Sequence, residues 1–255
     1  YELDQTDLTL FATGGYGRGE LHPFSDVDLL LLSPNPIDEA LNQKISPFVA
    51  KLWDIGIDPA LVVRSVEECD EACHDDITVA TSLLEARILA GNVAQAGLPM
   101  QLLNKNWSQT KFYEAKMAEA KARYLKHNST EYNLEPDLKN APGGLRDIHT
   151  VSWISKRYFR VTNLFGLVQQ EFITEKEFDE LQEAEDFLWL IRHHLHKIAK
   201  RNENRVLFDY QRLIAERIGY RDNSHPNAAV EQFMRDYYRY AMSNSTLSEM
   251  LTQHY

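Results

Sequence analysis

At 255 residues, 44% hydrophobic and 25% charged, the chain has ordinary globular composition and enough length for one large domain or two modest ones. A net charge of −11 with a pI near 5.3 argues against an extended nucleic-acid surface. With only two cysteines, no apolar run of membrane-spanning length and no opening that reads as a signal peptide, the composition excludes a disulfide scaffold and points to a reducing cytoplasm.

The chain opens on a tyrosine in mid-pattern, as if cut from something longer. Leu8–Thr13 is rich in strand formers and stops at Gly14-Gly15, which is expected to open a short helical turn. Val27–Leu32 is a short apolar run between turn signals, a second buried strand. From Pro36 to Asp54 apolar residues recur at helical spacing until Gly56, and Ala60–Arg64 reads as a third strand. Ser65-Val66-Glu67-Glu68 is a capping box. Asp76 is expected to cap a further helix running to about Ala90, with Gly91 as its stop. Beyond Gln101 strand signals vanish. Helical patterns cover "KFYEAKMAEAKARYLKH", Val151–Arg160, Glu175–Lys200, Tyr210–Ile218 and Ala228–Gln253, interrupted by "NLEPDLKNAPGGLRD". The fold class is therefore α+β, with a mixed-sheet domain over 1–105 and an all-α domain over 106–255.

The stretch "GGYGRGELHPFSDVDLLLL" (Gly14–Leu32) carries the chemistry. A Gly-Gly alone is a turn, and an Asp-x-Asp alone is a solvated or capping pair. Together on adjacent strands they mean more. Asp26 and Asp28, two apart on a strand, face one side. Two neighbouring carboxylates suit a hard cation such as Mg²⁺, with Mn²⁺ as an alternative. Gly14 and Gly15 let backbone approach a phosphate closely, with free N–H groups at the helix start. A nucleoside triphosphate and attack on phosphorus are implied. The motif is neither a P-loop nor a Rossmann fingerprint, because the second strand follows too soon for a βαβ crossover. Arg18 either braces this loop, with Glu20 as partner, or touches the triphosphate. "HDD" at His74–Asp76 reads as helix capping rather than a metal site. His193 and His196 read as a helix face before a zinc pair, Cys69 and Cys73 as packed thiols, and Tyr237–Ser245 as core.

Gly14-Gly15, ten residues, then Asp26-Val27-Asp28 resembles the nucleotidyltransferase superfamily typified by DNA polymerase β. The longer string resembles the bacterial uridylyltransferase/uridylyl-removing enzymes that modify the nitrogen-regulatory protein PII. "NLEPDLKNAPGGLRDIHTVSWISKRYF" (Asn133–Phe159) and "RVLFDYQRLIAERIGY" (Arg205–Tyr220) are similar to the helical region of that family. The resemblance implies transfer of UMP from UTP to a PII tyrosine, with release of pyrophosphate. It implies metal at Asp26 and Asp28, nucleotide contacts from Gly14, Gly15, Arg18, Ser25 and Arg146, and neither nucleic acid nor membrane as partner. For Arg146 the other reading is a plain salt bridge with Asp147. A third carboxylate is expected on a later strand, and Asp58 is the candidate. The family there reads acid, apolar, Gly-His-Ser; this chain reads Asp58-Pro59-Ala60-Leu61-Val62, a departure that touches the third ligand. Nothing resembles the family's hydrolase or ligand-sensing domains, so the transferase part alone is expected. Alternatives are an adenylyltransferase-type enzyme and a non-catalytic module that retains the fold.

Overall fold

The computed structural model describes residues 7–127, 131–221, 224–225 and 227–255; the opening tyrosine lies outside them. The chain forms two compact units. One holds the described residues up to Leu21 together with Ser25–Ser108, and the other holds His22–Phe24 and Gln109–Tyr255.

The first unit runs β1 (Thr9–Ala12), α1 (Gly14–Arg18), β2 (Val27–Ser33), α2 (Glu39–Asp54), β3 (Pro59–Ser65), α3 (Val66–Asp75), α4 (Ile77–Leu84), β4 (Arg87–Gly91) and α5 (Leu98–Asn106). Its sheet has the order β3-β2-β1-β4. β2 pairs in parallel with β3, and β1 is antiparallel to both its neighbours, so the sheet is mixed as expected. Leu29–Leu32 are all buried, the continuous apolar run of a strand covered on both faces. Leu29 and Leu31 point to one face, where Ile45, Phe48 and Leu52 of α2 pack with them. α3 packs against β2 and β3.

The local signals set the ends of these elements. Asp38 caps α2 by accepting the Leu41 N–H at 2.7 Å. The Ser65–Glu68 box closes reciprocally: Glu68 N–H donates to Ser65 Oγ at 3.1 Å, and Ser65 N–H to Glu68 Oε2 at 2.7 Å. Asp76 caps α4 by accepting the Thr78 N–H at 2.6 Å, as the capping reading of "HDD" requires. One expectation fails. The helix from Asp76 does not reach Ala90: α4 ends at Leu84, and Arg87–Gly91 is β4, bound antiparallel to β1. A run as short as "RILAG" carries no period that separates helix from strand. Its partner lies some seventy-five residues earlier, and that pairing decides. Gly91 is no helix stop. It holds φ +102° and lies so close to Leu8 and Thr9 that a Cβ would overlap their backbone.

The second unit is helical: α6 (Gln109–Lys126), α7 (Leu145–Tyr158), α8 (Phe165–Gln169), α9 (Glu175–Ala199), α10 (Phe208–Ile218) and α11 (Ala228–Gln253). Thr174 and Glu177 form a second capping box, at the head of α9. Leu188, Ile191, Leu195, Ile214, Phe233 and Tyr237 share the main core, so the aromatic stretch of α11 is structural. "APGGLRD" is the seat of this unit. Gly143, at φ +76°, abuts the Ala241 backbone with no room for a Cβ. The buried Asn244 amide donates to the carbonyls of Gly143 at 2.8 Å and Gly144 at 3.1 Å.

Candidate active site

The antiparallel β1–β2 pair brings the end of β1 and the start of α1 beside the head of β2. Thr13 N–H donates to the Asp28 carbonyl at 3.0 Å. α1 begins at once, with Gly17 N–H donating to the Thr13 carbonyl at 2.7 Å. The N–H groups of Gly14, Gly15 and Tyr16 precede that first intrahelical bond. Gly14 holds φ +50°, and a Cβ on it would overlap the Asp28 carboxylate. Glycine is thus demanded here twice, by conformation and by contact. A Cβ on Gly15 would meet nothing nearer than the Glu20 carbonyl at 3.4 Å, so Gly15 answers to no tight neighbour within the protein.

Asp28 is the second residue of β2 and half-buried; Asp26 lies just outside the strand and is exposed. The parallel β2–β3 register pairs Val27 with Pro59 and Asp28 with Ala60. Val27 N–H donates to the Asp58 carbonyl at 2.9 Å. Asp58 is exposed at the mouth of β3, one strand spacing of about 5 Å from β2. The paired register stops at Val27 and Pro59, so Asp26 and Asp58 each stand one residue before it, at the end of the sheet where Asp28 lies. Pro59 is compatible with its position. It sits at the first position of an edge strand, where no ladder donor is needed. Ser25 is half-buried in the loop before Asp26.

Behind Asp28 a cleft of about 510 Å³ opens between β2, β3 and α4, lined among others by Thr13, Asp28, Ala60, Val62, Arg64 and Thr78. Asp28, Leu30 and Leu32 pair with Ala60, Val62 and Arg64, so this is one face of the sheet. Thr13, Arg64 and Thr78 escaped the reading of the sequence. Only the alternation of β3 pointed toward Arg64, and nothing local pointed to the others.

Arg18 is braced. Its Nε donates to Glu20 at 2.5 Å and its Nη1 to Glu85 at 2.6 Å. Burial works against its charge, but Glu85 and Glu20 outweigh that and hold the guanidinium above its ordinary pKa. Glu85, at the end of α4, is nearly inaccessible, and no signal in the sequence linked it to Arg18 across 67 residues. Arg87 also escaped notice: it donates to the Tyr16 carbonyl at 3.1 Å at the end of α1 and lies over the Tyr16 ring.

In the helical unit, Arg146 does not pair with Asp147. It stacks over Trp153 at 5.3 Å. Asp147 instead accepts from Arg123 at 2.7 Å and from Gly143 N–H at 2.7 Å. Burial pushes the Asp147 carboxyl up, and Arg123 opposes it. Cys69 and Cys73 are buried thiols outside any disulfide, and burial raises Cys69 to about 11, which marks it as unreactive.

The donor set of Asp26, Asp28 and Asp58 is all hard oxygen, two of the three open to solvent, which fits Mg²⁺ or Mn²⁺. Among the described residues no helix is long and apolar enough to cross a membrane.

Known proteins resemble the chain over its whole length. Residues 2–82 match the nucleotidyltransferase domain model, and residues 111–252, more than half the chain, match the GlnD PII-uridylyltransferase model. Bifunctional uridylyltransferase/uridylyl-removing enzymes of Psychrobacter sp. (strain PRwf-1) and Psychrobacter arcticus are each 63% identical over the whole chain. That of Acinetobacter baumannii (strain AYE) is 52% identical over the same span. The chain spans 28% of the length of the two Psychrobacter relatives and 29% of the third. A toxin–antitoxin crystal structure with AMP-PNP aligns with 50% of this chain and 90% of its own, at 16% identity and a TM-score of 0.29, too low to carry weight. With a nucleotidyltransferase domain followed by the family's helical region, the chain belongs to the GlnD PII-uridylyltransferase family.

Proposed function

We propose that the chain transfers UMP from UTP to a tyrosine hydroxyl of PII. The tyrosine oxygen bonds to the α-phosphorus, the α–β phosphoanhydride bond breaks, and pyrophosphate leaves. The observation that carries this reading is the Asp28 carboxylate seated against Gly14, with Asp26 and Asp58 at the same end of the sheet. The names of the family model and of the relatives supply the base and the acceptor.

Asp26 and Asp28 would hold Mg²⁺, or Mn²⁺ in its place. A bound metal there supplies charge stabilisation to the attacking and leaving oxygens. Gly14 and Gly15 offer N–H groups to the triphosphate, and Ser25 lies beside that path. Arg18, held by two carboxylates, keeps the Gly14–Glu20 loop in shape and lends positive charge near it. Asp58 accepts the tyrosine proton, which a phenol with a pKa near 10 does not give up unaided at neutral pH. The helical part, residues 106–255, would receive the protein partner, with Arg146 a nucleotide contact. Two buried thiols outside any disulfide suit a reducing cytoplasm, and the charge of −11 suits a protein rather than a nucleic-acid substrate.

The test is a thermal-shift panel of the four nucleoside triphosphates with and without Mg²⁺, because a ligand that binds only the folded state raises its melting point. A shift selective for UTP with Mg²⁺, followed by UMP incorporation into PII, is expected. An equal shift with ATP overturns the choice of base. No shift with any nucleotide overturns the enzyme reading.

A further inference from the structure

The cleft behind Asp28 runs along one face of β3 as far as Arg64. Asp28 is level with Ala60, and Arg64 stands four residues further along the strand, about 13 Å away. Val62 lies between them on the same face and is 43% exposed. Arg64 is half-buried, and among the described residues it makes no hydrogen bond and no ion pair. The group that feels its charge is the Cys69 thiol, which is held at about 11 and so carries no charge of its own at neutral pH. Asp28, the other charged residue along the cleft, is at the opposite end. A guanidinium drawn partly out of water, with no carboxylate against it, is a seat for an anion.

The order of the strands decides which substrate brings that anion. The sheet runs β3-β2-β1-β4, and α1 follows β1 directly. The Gly14–Gly15 N–H groups and the β3 cleft therefore flank Asp28 on opposite sides. In a displacement at phosphorus the entering oxygen lies in line with the leaving one, on the far side of the phosphorus. With pyrophosphate leaving against Gly14 and Gly15, the acceptor oxygen enters from the β3 side.

We propose that the β3 cleft is the acceptor groove and that Arg64 binds an acidic side chain of the acceptor protein, about four residues from the modified tyrosine. This rests on the reading of Gly14, Gly15, Asp26 and Asp28 given above. An extended segment rises about 3.3 Å per residue, so four residues span the cleft from the level of Asp28 to Arg64. An even spacing also turns the tyrosine and the acid to the same side of the segment. Val62 offers the stretch between them an exposed apolar contact.

The experiment measures UMP transfer to PII by the whole chain, with PII and UTP varied separately. Arg64→Gln is expected to raise KM for PII about tenfold, the scale of one charged hydrogen bond, while KM for UTP, kcat and the Mg²⁺-UTP thermal shift stay as in wild type. Acidic residues of PII near the tyrosine are then replaced by lysine one at a time. One of these is expected to cost wild type a similar factor, and Arg64→Glu should regain it. An unchanged KM for PII in Arg64→Gln overturns the proposal. So does a comparable rise in KM for UTP, which makes Arg64 a nucleotide contact, and so does the lack of any acid that Arg64→Glu rescues. If the Arg64 variants do not fold, Val62→Cys carrying a photo-crosslinker takes their place; Cys69 and Cys73 are fully buried, so the label goes to one position. Capture of the tyrosine-bearing segment of PII supports the groove, and capture elsewhere or none overturns it. If wild type neither shifts with Mg²⁺-UTP nor transfers UMP, the functional reading fails and this inference with it; transfer indifferent to Arg64 sinks the inference alone.

Discussion

Asp28 and Gly14 make one unit at the residue scale: a carboxylate turned toward a backbone that has no Cβ to obstruct it. Gly14→Ala places a methyl group on that carboxylate and a non-glycine residue at φ +50°. A loss of about 1–3 kcal/mol in stability, with the Mg²⁺-UTP shift abolished, is expected by denaturant titration and thermal shift. Asp26→Asn and Asp28→Asn should act oppositely on the apo protein. Removing one of two like charges relieves repulsion, so neither variant should melt below wild type, while both lose the Mg²⁺-UTP shift and UMP transfer. Unfolding of these variants would mean that the pair is structural. Asp58→Asn separates base from ligand. Turnover should fall by about 10²–10⁴-fold with Mg²⁺-UTP binding largely kept. A loss under about threefold, less than 1 kcal/mol of barrier, removes Asp58 from the chemistry.

Caps and strand ends govern the elements. The Ser65 box joins β3 to α3 and fixes where the β3 backbone turns away from the cleft wall. Ser65→Ala should cost about 1 kcal/mol, read as a lower urea midpoint with unchanged slope. Thr174→Ala, at the head of the long α9, should cost a similar amount. In neither case should the ratio of UTP to ATP shift change, because neither cap touches the cleft. β4 is the element in which local pattern and tertiary pairing disagree. Its five residues suit a helix end as well as a strand, and β1 supplies the ladder that decides. The same turn delivers Glu85 to Arg18, so placing β4 and bracing the Gly14–Glu20 loop are one structural event.

The whole molecule carries a pH dependence with a definite sign. His196 is held near a pKa of 4 when folded, against about 6.5 in an unfolded chain. The folded protein refuses a proton that the unfolded chain accepts. Stability from this group is therefore full above about pH 6.5, falls as pH drops through that value, and is lost by about pH 4. His194, lowered by burial, has the same sign. On the order of 3 kcal/mol is at stake for His196, and His196→Asn should flatten the profile over this window in urea titrations at stepped pH. A profile as steep in the variant as in wild type would place the dependence elsewhere.

What the sequence by itself determined is what neighbours along the chain determine. The strands β1, β2 and β3, the helical turn at Gly14, the Ser65 and Asp76 caps and the long helices of the second unit follow from side-chain period, turn chemistry and hydrogen bonds over three or four residues. The approach of Gly14 to Asp28 was legible too, because the two strands that carry them were read as neighbours in one sheet. Only the tertiary structure decided the fourth strand, the Glu85 partner of Arg18, the Arg123 partner of Asp147 in place of its neighbour Arg146, and the capture of His22–Phe24 by α9. Each of these pairs residues from 24 to 172 positions apart. No local period or cap encodes such a pair. It forms only where burial of both elements leaves a charge or an amide that must find its partner inside the fold.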